Sequence, residues 1–211
     1  MKFHSKIFGW EYAWQEFAVE AGGSAEIDVQ ASPSVKHIQV PIQSGGKIRF
    51  IPEPHKLGNQ QVDTTVLAEY DAADNFVFGL HTEKFLNQVG KLLGAQDIRI
   101  GDEVFDARFQ IQSNDPNRFI QLLRNDELRL LLMERPDIHL KVLTSQDKLP
   151  HGGTIGAGKH VIHYSQHKVL DGFEQLSAVA RIMDLMVNGA RFGSPEEAAF
   201  KPRFSESLLH R

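Results

Sequence analysis

An α+β fold, an antiparallel sheet of short strands flanked by about three helices, is what this sequence predicts, and two observations predict it. Residues 25–80 carry short alternations of apolar and polar residues, separated by clusters such as Ser44-Gly45-Gly46 and Pro52-Glu53-Pro54. A period of two belongs to half-buried strands, and Gly, Pro, Ser and Asp clusters are turn chemistry. Three other stretches, 9–21, 116–134 and 173–187, repeat apolar residues every three or four positions, which is the helical period.

In the first helix Trp10, Ala13, Trp14, Phe17 and Ala21 share a face, and Gly22-Gly23 supplies the stop. Such an aromatic stripe reads as packing against a sheet before it reads as a sugar- or ring-binding platform. Strands follow at Ile27–Val29, Ile38–Ile42, Ile48–Phe50, Val62–Tyr70 and Phe76–Leu80, an antiparallel meander by their spacing. Pro41 pushes its strand towards a sheet edge, because proline donates nothing to a ladder. Residues 82–94 fit a short helix closed by Gly94 and weakened by Gly90.

The strongest local signals lie between Asp97 and Met133. Phe105, Ala107, Phe109 and Ile111 alternate with Asp106, Arg108, Gln110 and Gln112, which predicts a strand over 105–112. Asp115-Pro116 then starts a helix over 116–134, apolar at Phe119, Leu122, Leu123, Leu130, Leu131 and Met133, which stops before Pro136. Ile138, Leu140 and Val142 give another strand, and Val161–Val169 a further one after a glycine-rich loop. The last helix, 173–187, has a narrow seam of Phe173, Leu176, Ala180, Met183 and Val187. A helix plus β-meander lobe over 1–95, a strand-helix-strand-helix lobe over 96–190 and a loosely ordered tail over 191–211 describe this layout, and a single compact unit fits it equally.

With 211 residues, 41% hydrophobic and 24% charged, the chain has the composition of an ordinary globular domain. A net charge of −4 argues against a general nucleic-acid binder, which needs a basic footprint. The absence of cysteine excludes disulfides, cysteine zinc sites and thiol catalysis. Charges interrupt the first ten residues, so no signal-type apolar core is read there, and no window approaches the roughly 18 to 20 apolar residues of a membrane span. A soluble, cytoplasmic protein is the expectation.

The pattern Ile98-x-Ile100-Gly101-Asp102-x-x-Phe105-Asp106-x-x-Phe109-x-Ile111, followed by a leucine-rich helix, resembles an uncharacterised bacterial protein family. The upstream Trp14-x-x-Phe17-Ala18-x-x-Ala21-Gly22-Gly23 looks like that family's opening. The resemblance implies a shared fold over about residues 10–190. Several members carry membrane segments that this chain lacks. The family has no established activity, so the likeness carries over no catalytic residue. Asp106 is explained by a turn contact or an ion pair with Arg108.

Two stretches suggest chemistry. Gly153-Thr154-Ile155-Gly156-Ala157-Gly158-Lys159-His160 nearly spells a phosphate-binding loop, with His160 where a Ser or Thr hydroxyl belongs. Val161-Ile162-His163-Tyr164 after it prefers strand to the helix such a loop needs, so a hairpin loop is the better reading. His151, His160, His163 and His167 form the second group, since converging neutral imidazoles are the usual zinc ligands. On a strand His163 and His167 share one face and His160 points to the other, so a solvated polar face competes with a metal site. No Gly-x-Ser-x-Gly turn occurs, and Asp102-Glu103 and Glu196-Glu197 are adjacent and point apart, which makes them poor acid–base couples.

The leading expectation is a non-catalytic soluble module that acts through protein–protein contacts, or as an accessory to an envelope or regulatory assembly, as a homodimer or with a protein partner. No nucleic acid and no resident cofactor are expected. The alternative is a metal-dependent hydrolase using zinc on His151, His160, His163 and His167. A phosphate-responsive protein using Gly153, Gly158 and Lys159 comes third.

Overall fold

A computed structural model describes residues 9–31, 33–54, 62–82, 96–135 and 137–192. The chain runs α1 (Trp10–Glu20), β1 (Ser24–Ile27), β2 (Val35–Pro41), β3 (Lys47–Pro54), β4 (Val62–Asp71), β5 (Phe78–Thr82) and β6 (Gln96–Asp97). It continues with α2 (Glu103–Arg108), β7 (Phe109–Ser113), α3 (Pro116–Leu122), α4 (Asp126–Met133), β8 (His139–Leu143), β9 (Lys159–Gln166) and α5 (Phe173–Phe192). Among the described residues nine strands form one sheet, in the order β1-β2-β3-β4-β9-β8-β5-β7-β6, with every neighbour antiparallel. The α+β antiparallel architecture is as the sequence predicts, with five described helices rather than about three. The helix predicted over 82–94 lies outside the described residues, apart from Thr82 at the end of β5, as does the tail beyond Phe192.

β1 to β4 form a meander as predicted, but the meander stops there: β5, expected as its next strand, lies between β8 and β7. The sheet then passes to β9, the last strand in sequence, which pairs with β4 on one side and β8 on the other. Three pairings therefore cross residues 95–100: β5 precedes them and joins β7 and β8, while β9 follows them and joins β4.

α1 ends where the glycines sit. Gly22 adopts a left-handed φ of 70°, and the Gly23 N–H donates to the Ala18 carbonyl at 2.7 Å, closing the last turn. A Cβ on Gly23 would lie 1.9 Å from the Gln39 carbonyl oxygen, so only glycine lets the chain enter β1 this close to β2. At the other end of α1 the Glu11 carboxylate accepts from the Ser34 hydroxyl and from the Ser34 and Val35 N–H groups (2.7 and 3.0 Å), fastening the helix to the start of β2. Trp14 is fully buried and its indole N–H donates to the Leu170 carbonyl at 2.7 Å. With Phe50, Phe17 and Phe173 it forms an edge-to-face chain, which is core packing and not a platform.

Three expectations are corrected. Pro41 ends β2, which is an interior strand; β1 reaches only as far as Gln39, so no β1 partner faces the proline. Phe105 to Arg108 is helix, and the strand starts only at Phe109. The Asp102 side chain accepts from the N–H groups of Val104 and Phe105, an N-cap that overrides the alternation. The Phe105 and Phe109 rings meet at a tilt, 4.6 Å apart across one helical turn, so an i,i+4 contact lay inside an apparent period of two. Asp106 makes the turn contact, accepting from Ile100 and Gly101, while Arg108 donates to the Arg135 carbonyl instead. The helix predicted over 116–134 is two helices, because the Asn125 side chain accepts from Leu128 N–H and restarts the chain as α4.

The sheet has two unlike faces. Ile48, Phe50, Val66, Ala68, Leu80, Ile111, Leu140, Val142, Ile162 and Tyr164 point towards the helices and join the main core. α5 lies across β4 and β9 on this side and also contacts α1, α3 and α4. Leu176, Ala180, Met183 and Val187 are all buried there, so the narrow apolar seam of this helix is filled by the molecule's own core. On the opposite face a smaller cluster of Leu143, Ile155 and Val161, flanked by Leu67 and Leu149, packs under the β8–β9 connection.

Candidate functional site

The second face of the sheet is where the titratable side chains gather. Antiparallel register sets His81 on β5 opposite His139 on β8, and Lys141 on β8 opposite His163 on β9. Because successive side chains alternate between faces, these residues project on the side away from the helices. The result is a row across three adjacent strands. The His81 and His139 rings lie 6.1 Å apart, and the His139 and His163 rings 6.2 Å apart. All three histidines are buried. His81 Nε2 meets the Gln110 side-chain oxygen at 3.2 Å.

At the β9 end the row approaches Glu53 of β3. The Glu53 carboxylate takes a hydrogen bond from the Thr65 hydroxyl and lies 3.0 Å from His151 Nε2. The hydrogen bond to His151 holds its carboxyl down at about 2, against an opposing effect of burial. Burial pushes His139 down to about 3, helped by the positive charge of Lys141 and by the neighbouring histidines. Burial also takes His163 down to about 4, with Lys141 and His151 in the same direction and Glu53 against them. At neutral pH His139 and His163 are therefore neutral imidazoles beside a charged glutamate.

The four histidines singled out by sequence are divided. His151, in the β8–β9 connection, and His163 lie on the second face near Glu53. His160 is on the helix side, edge-on to Tyr70 with ring centroids 5.9 Å apart, and burial lowers its pKa. His167 lies past the end of β9, so strand alternation does not govern it, and its Nδ1 is 3.1 Å from the Asp63 carboxylate. Among the described residues no three His, Asp or Glu side chains are placed to hold one metal ion. The near phosphate-binding loop leads into strand β9, and the Lys159 ammonium sits 2.6 Å from Glu69. Sequence reasoning missed His81, His139 and Glu53. They stand far apart in sequence and only the fold's register brings them onto one face; nothing local marks them beyond His139 alternating with Ile138 and Leu140.

A second feature lies on the same face towards the other end of the strands. A groove of about 560 Å³ runs beside the cluster of Leu143, Ile155 and Val161, between the start of β3 and the start of β9. Lys47, Arg49, Leu67, Leu149 and Val161 are among its walls.

No protein-family model matches the chain, and no curated protein matches it in sequence. Among solved structures it is similar to the mycobacterial trehalose monomycolate transport factor A, TtfA. The likeness has a TM-score of 0.52 at 10% identity and covers 89% of this chain and 97% of that one. At that identity the likeness is one of fold. No described helix of the present chain is long and apolar enough to cross a membrane.

Proposed function

We propose that this chain is a non-catalytic accessory module of an envelope or regulatory assembly, and that it works by binding another protein chain along the β1 edge of its sheet. The observation that carries the reading is that edge. β1 is the outermost described strand next to β2, and only four residues long. Ile27 at its end is 44% exposed, Val29 just after it 82%, and Val19 on the neighbouring α1 76%. An open strand edge offers unpaired backbone groups to an incoming strand, and apolar side chains beside it add the contact area that such additions use. The fold likeness to a transport factor supports the accessory part of the reading. Kinship with the uncharacterised bacterial family of the Ile98–Ile111 motif belongs to the same proposal.

Photo-crosslinking from position 29 in cells, together with light scattering of the purified protein, tests it. A discrete crosslinked species, or a dimer, that disappears in Ile27→Lys is the expected result. A monomer at every concentration, with position 29 crosslinking no more than the exposed Lys148 position, would sink the idea.

One observation favours the alternative, a metal-dependent hydrolase: His151 and Glu53 touch beside the buried His163, whose Nδ1 has no hydrogen-bond partner. Carboxylate and imidazole are zinc donors, and a metal-bound state would have to draw these three together, since as placed they form no three-donor group. One zinc per chain in untagged protein, lost in a His151→Ala/His163→Ala variant, would favour that reading over the accessory module.

A further inference from the structure

The groove beside the small cluster joins an apolar wall to a basic one. Its apolar side is Val161, which is buried, with Leu67 and Leu149, which are only half covered. The β8–β9 connection thus leaves part of its own cluster open to the groove. Its charged side is Lys47 and Arg49, two positions apart on β3 and therefore on the same face. Both are exposed, and neither has a carboxylate within 4 Å among the described residues. Arg49 stands directly across from Leu67 in the ladder, so a cation and the open apolar wall are cross-strand neighbours.

Two further cations line the groove, and both are engaged; Arg191 donates to the Ser44 carbonyl at 2.6 Å. Lys159 is held by Glu69 at 2.6 Å and lies 4.0 Å from Asp71, and these carboxylates raise its pKa. Among the described residues Lys47 and Arg49 thus stand without an ion pair, while the groove's two carboxylates, Glu69 and Asp71, lie beside Lys159. A volume of about 560 Å³ falls within the range of small-molecule pockets.

We propose that this groove binds a small anionic amphiphile, an acyl carboxylate or alkyl phosphate, with its head on Lys47 and Arg49 and its chain along Leu67, Leu149 and Val161. The head group takes charge-assisted hydrogen bonds from both side chains, and arginine offers a planar fork that fits either anion. The chain covers apolar surface that water otherwise touches. Such a molecule can arrive free in solution or as the head and upper chain of a membrane lipid, and both present the same chemistry. The inference goes beyond the accessory-module reading and is independent of it. The groove is walled by β2 at Gln39, the β2–β3 turn, β3, β4, β9, the β8–β9 connection and Arg191, whereas Ile27 and Val29 lie at and past the other end of β1, where Ile27 pairs with Val35.

The test is titration calorimetry of the full chain with octyl phosphate below its micelle concentration, beside inorganic phosphate, and flotation with phosphatidylcholine vesicles with and without phosphatidic acid. Saturable one-to-one binding of octyl phosphate is expected, at least tenfold weaker in a Lys47→Ala/Arg49→Ala variant and at least tenfold weaker for inorganic phosphate. Both substituted side chains are exposed, so the variant keeps the fold, and an unchanged melting curve verifies this. Flotation with phosphatidic-acid vesicles, lost in the same variant, assigns the source to a lipid; octyl phosphate binding without flotation assigns it to a free amphiphile. No octyl phosphate binding, equal binding by the variant, equal affinity for inorganic phosphate, or flotation without binding of the soluble probe would each overturn the proposal. The Ile27→Lys variant is expected to bind octyl phosphate as the natural chain does, which separates failure here from failure of the edge-binding reading.

Discussion

Lowering the pH from 7 to 5 is expected to destabilise this protein through His139 and His163. Both are buried and stay neutral in the fold down to about 3 and about 4, whereas each titrates near 6.5 in the unfolded chain. Depressed folded values mean that below 6.5 the unfolded state binds more protons. The stabilisation from keeping these rings neutral is complete above 6.5 and is lost as pH falls towards the folded values. The slope is about 1.4 kcal/mol per pH unit for each group, so between 6.5 and 5 each costs about 2 kcal/mol. Together they remove about 4 kcal/mol, a large part of a typical domain stability of about 5–15 kcal/mol. Lys141 and His151 oppose protonation of His163 and Glu53 favours it, while Lys141 and His81 oppose protonation of His139. Glu53 itself contributes only below about 4.5, outside this window. Urea unfolding followed by tryptophan fluorescence, which reports on the buried Trp14, measures the effect at pH 7, 6 and 5. In His163→Gln the loss between pH 7 and 5 should shrink by about 2 kcal/mol, or somewhat more, because the variant also relieves its neighbour His139. An identical loss in the variant and the natural chain, or a flat profile in the natural chain, would refute the reasoning.

The same unfolding assay at pH 7 addresses three structural claims. Gly23→Ala forces a Cβ into the Gln39 carbonyl and should cost about 2–3 kcal/mol, while Gly22→Ala, which has open space but a left-handed φ, should cost about 1 kcal/mol. Asn125→Ala removes the cap that separates α3 from α4 and should cost about 1 kcal/mol. Asp184 is buried on α5 and accepts from the Ser44 N–H at 2.8 Å and from Arg181 at 3.3 Å. Asp184→Ala leaves that N–H without its acceptor and should cost about 1–3 kcal/mol.

What the sequence discloses here follows the range of the interaction that decides each feature. Strands β2, β3 and β4, helix α1 and helix α5 are legible because one face of each is buried, and burial writes its period directly into the residues. The segment around Phe105 misleads because a polar cap, not an apolar period, decides it: Asp102 and Asp106 both satisfy N–H groups within six residues, and a pattern count does not weigh carboxylates. Asn125 escapes notice within the leucine-rich run for the same reason. The candidate site is the least legible part. His151 and His163 were visible as neighbours in sequence, but their real companions Glu53 and His139 come from other strands, and register alone selects them. His160 differs from His163 by three positions, which on a strand places it on the opposite face.

The position of β9 has a consequence for how this protein is made. Until residue 166 has been synthesised, β4 and β8 each lack their shared neighbour, so two half-built sheets face the solvent with an unpaired border each. Val66, Ala68, Leu140 and Val142, which later sit against Ile162 and Tyr164, stand along those borders. A nascent chain of this design is therefore most vulnerable to pairing with the wrong neighbour late in synthesis, and arrival of eight residues ends that exposure on both sides in one step. Shortening the chain before β9 would leave no smaller version of the same sheet, only two sticky remnants joined by a connection.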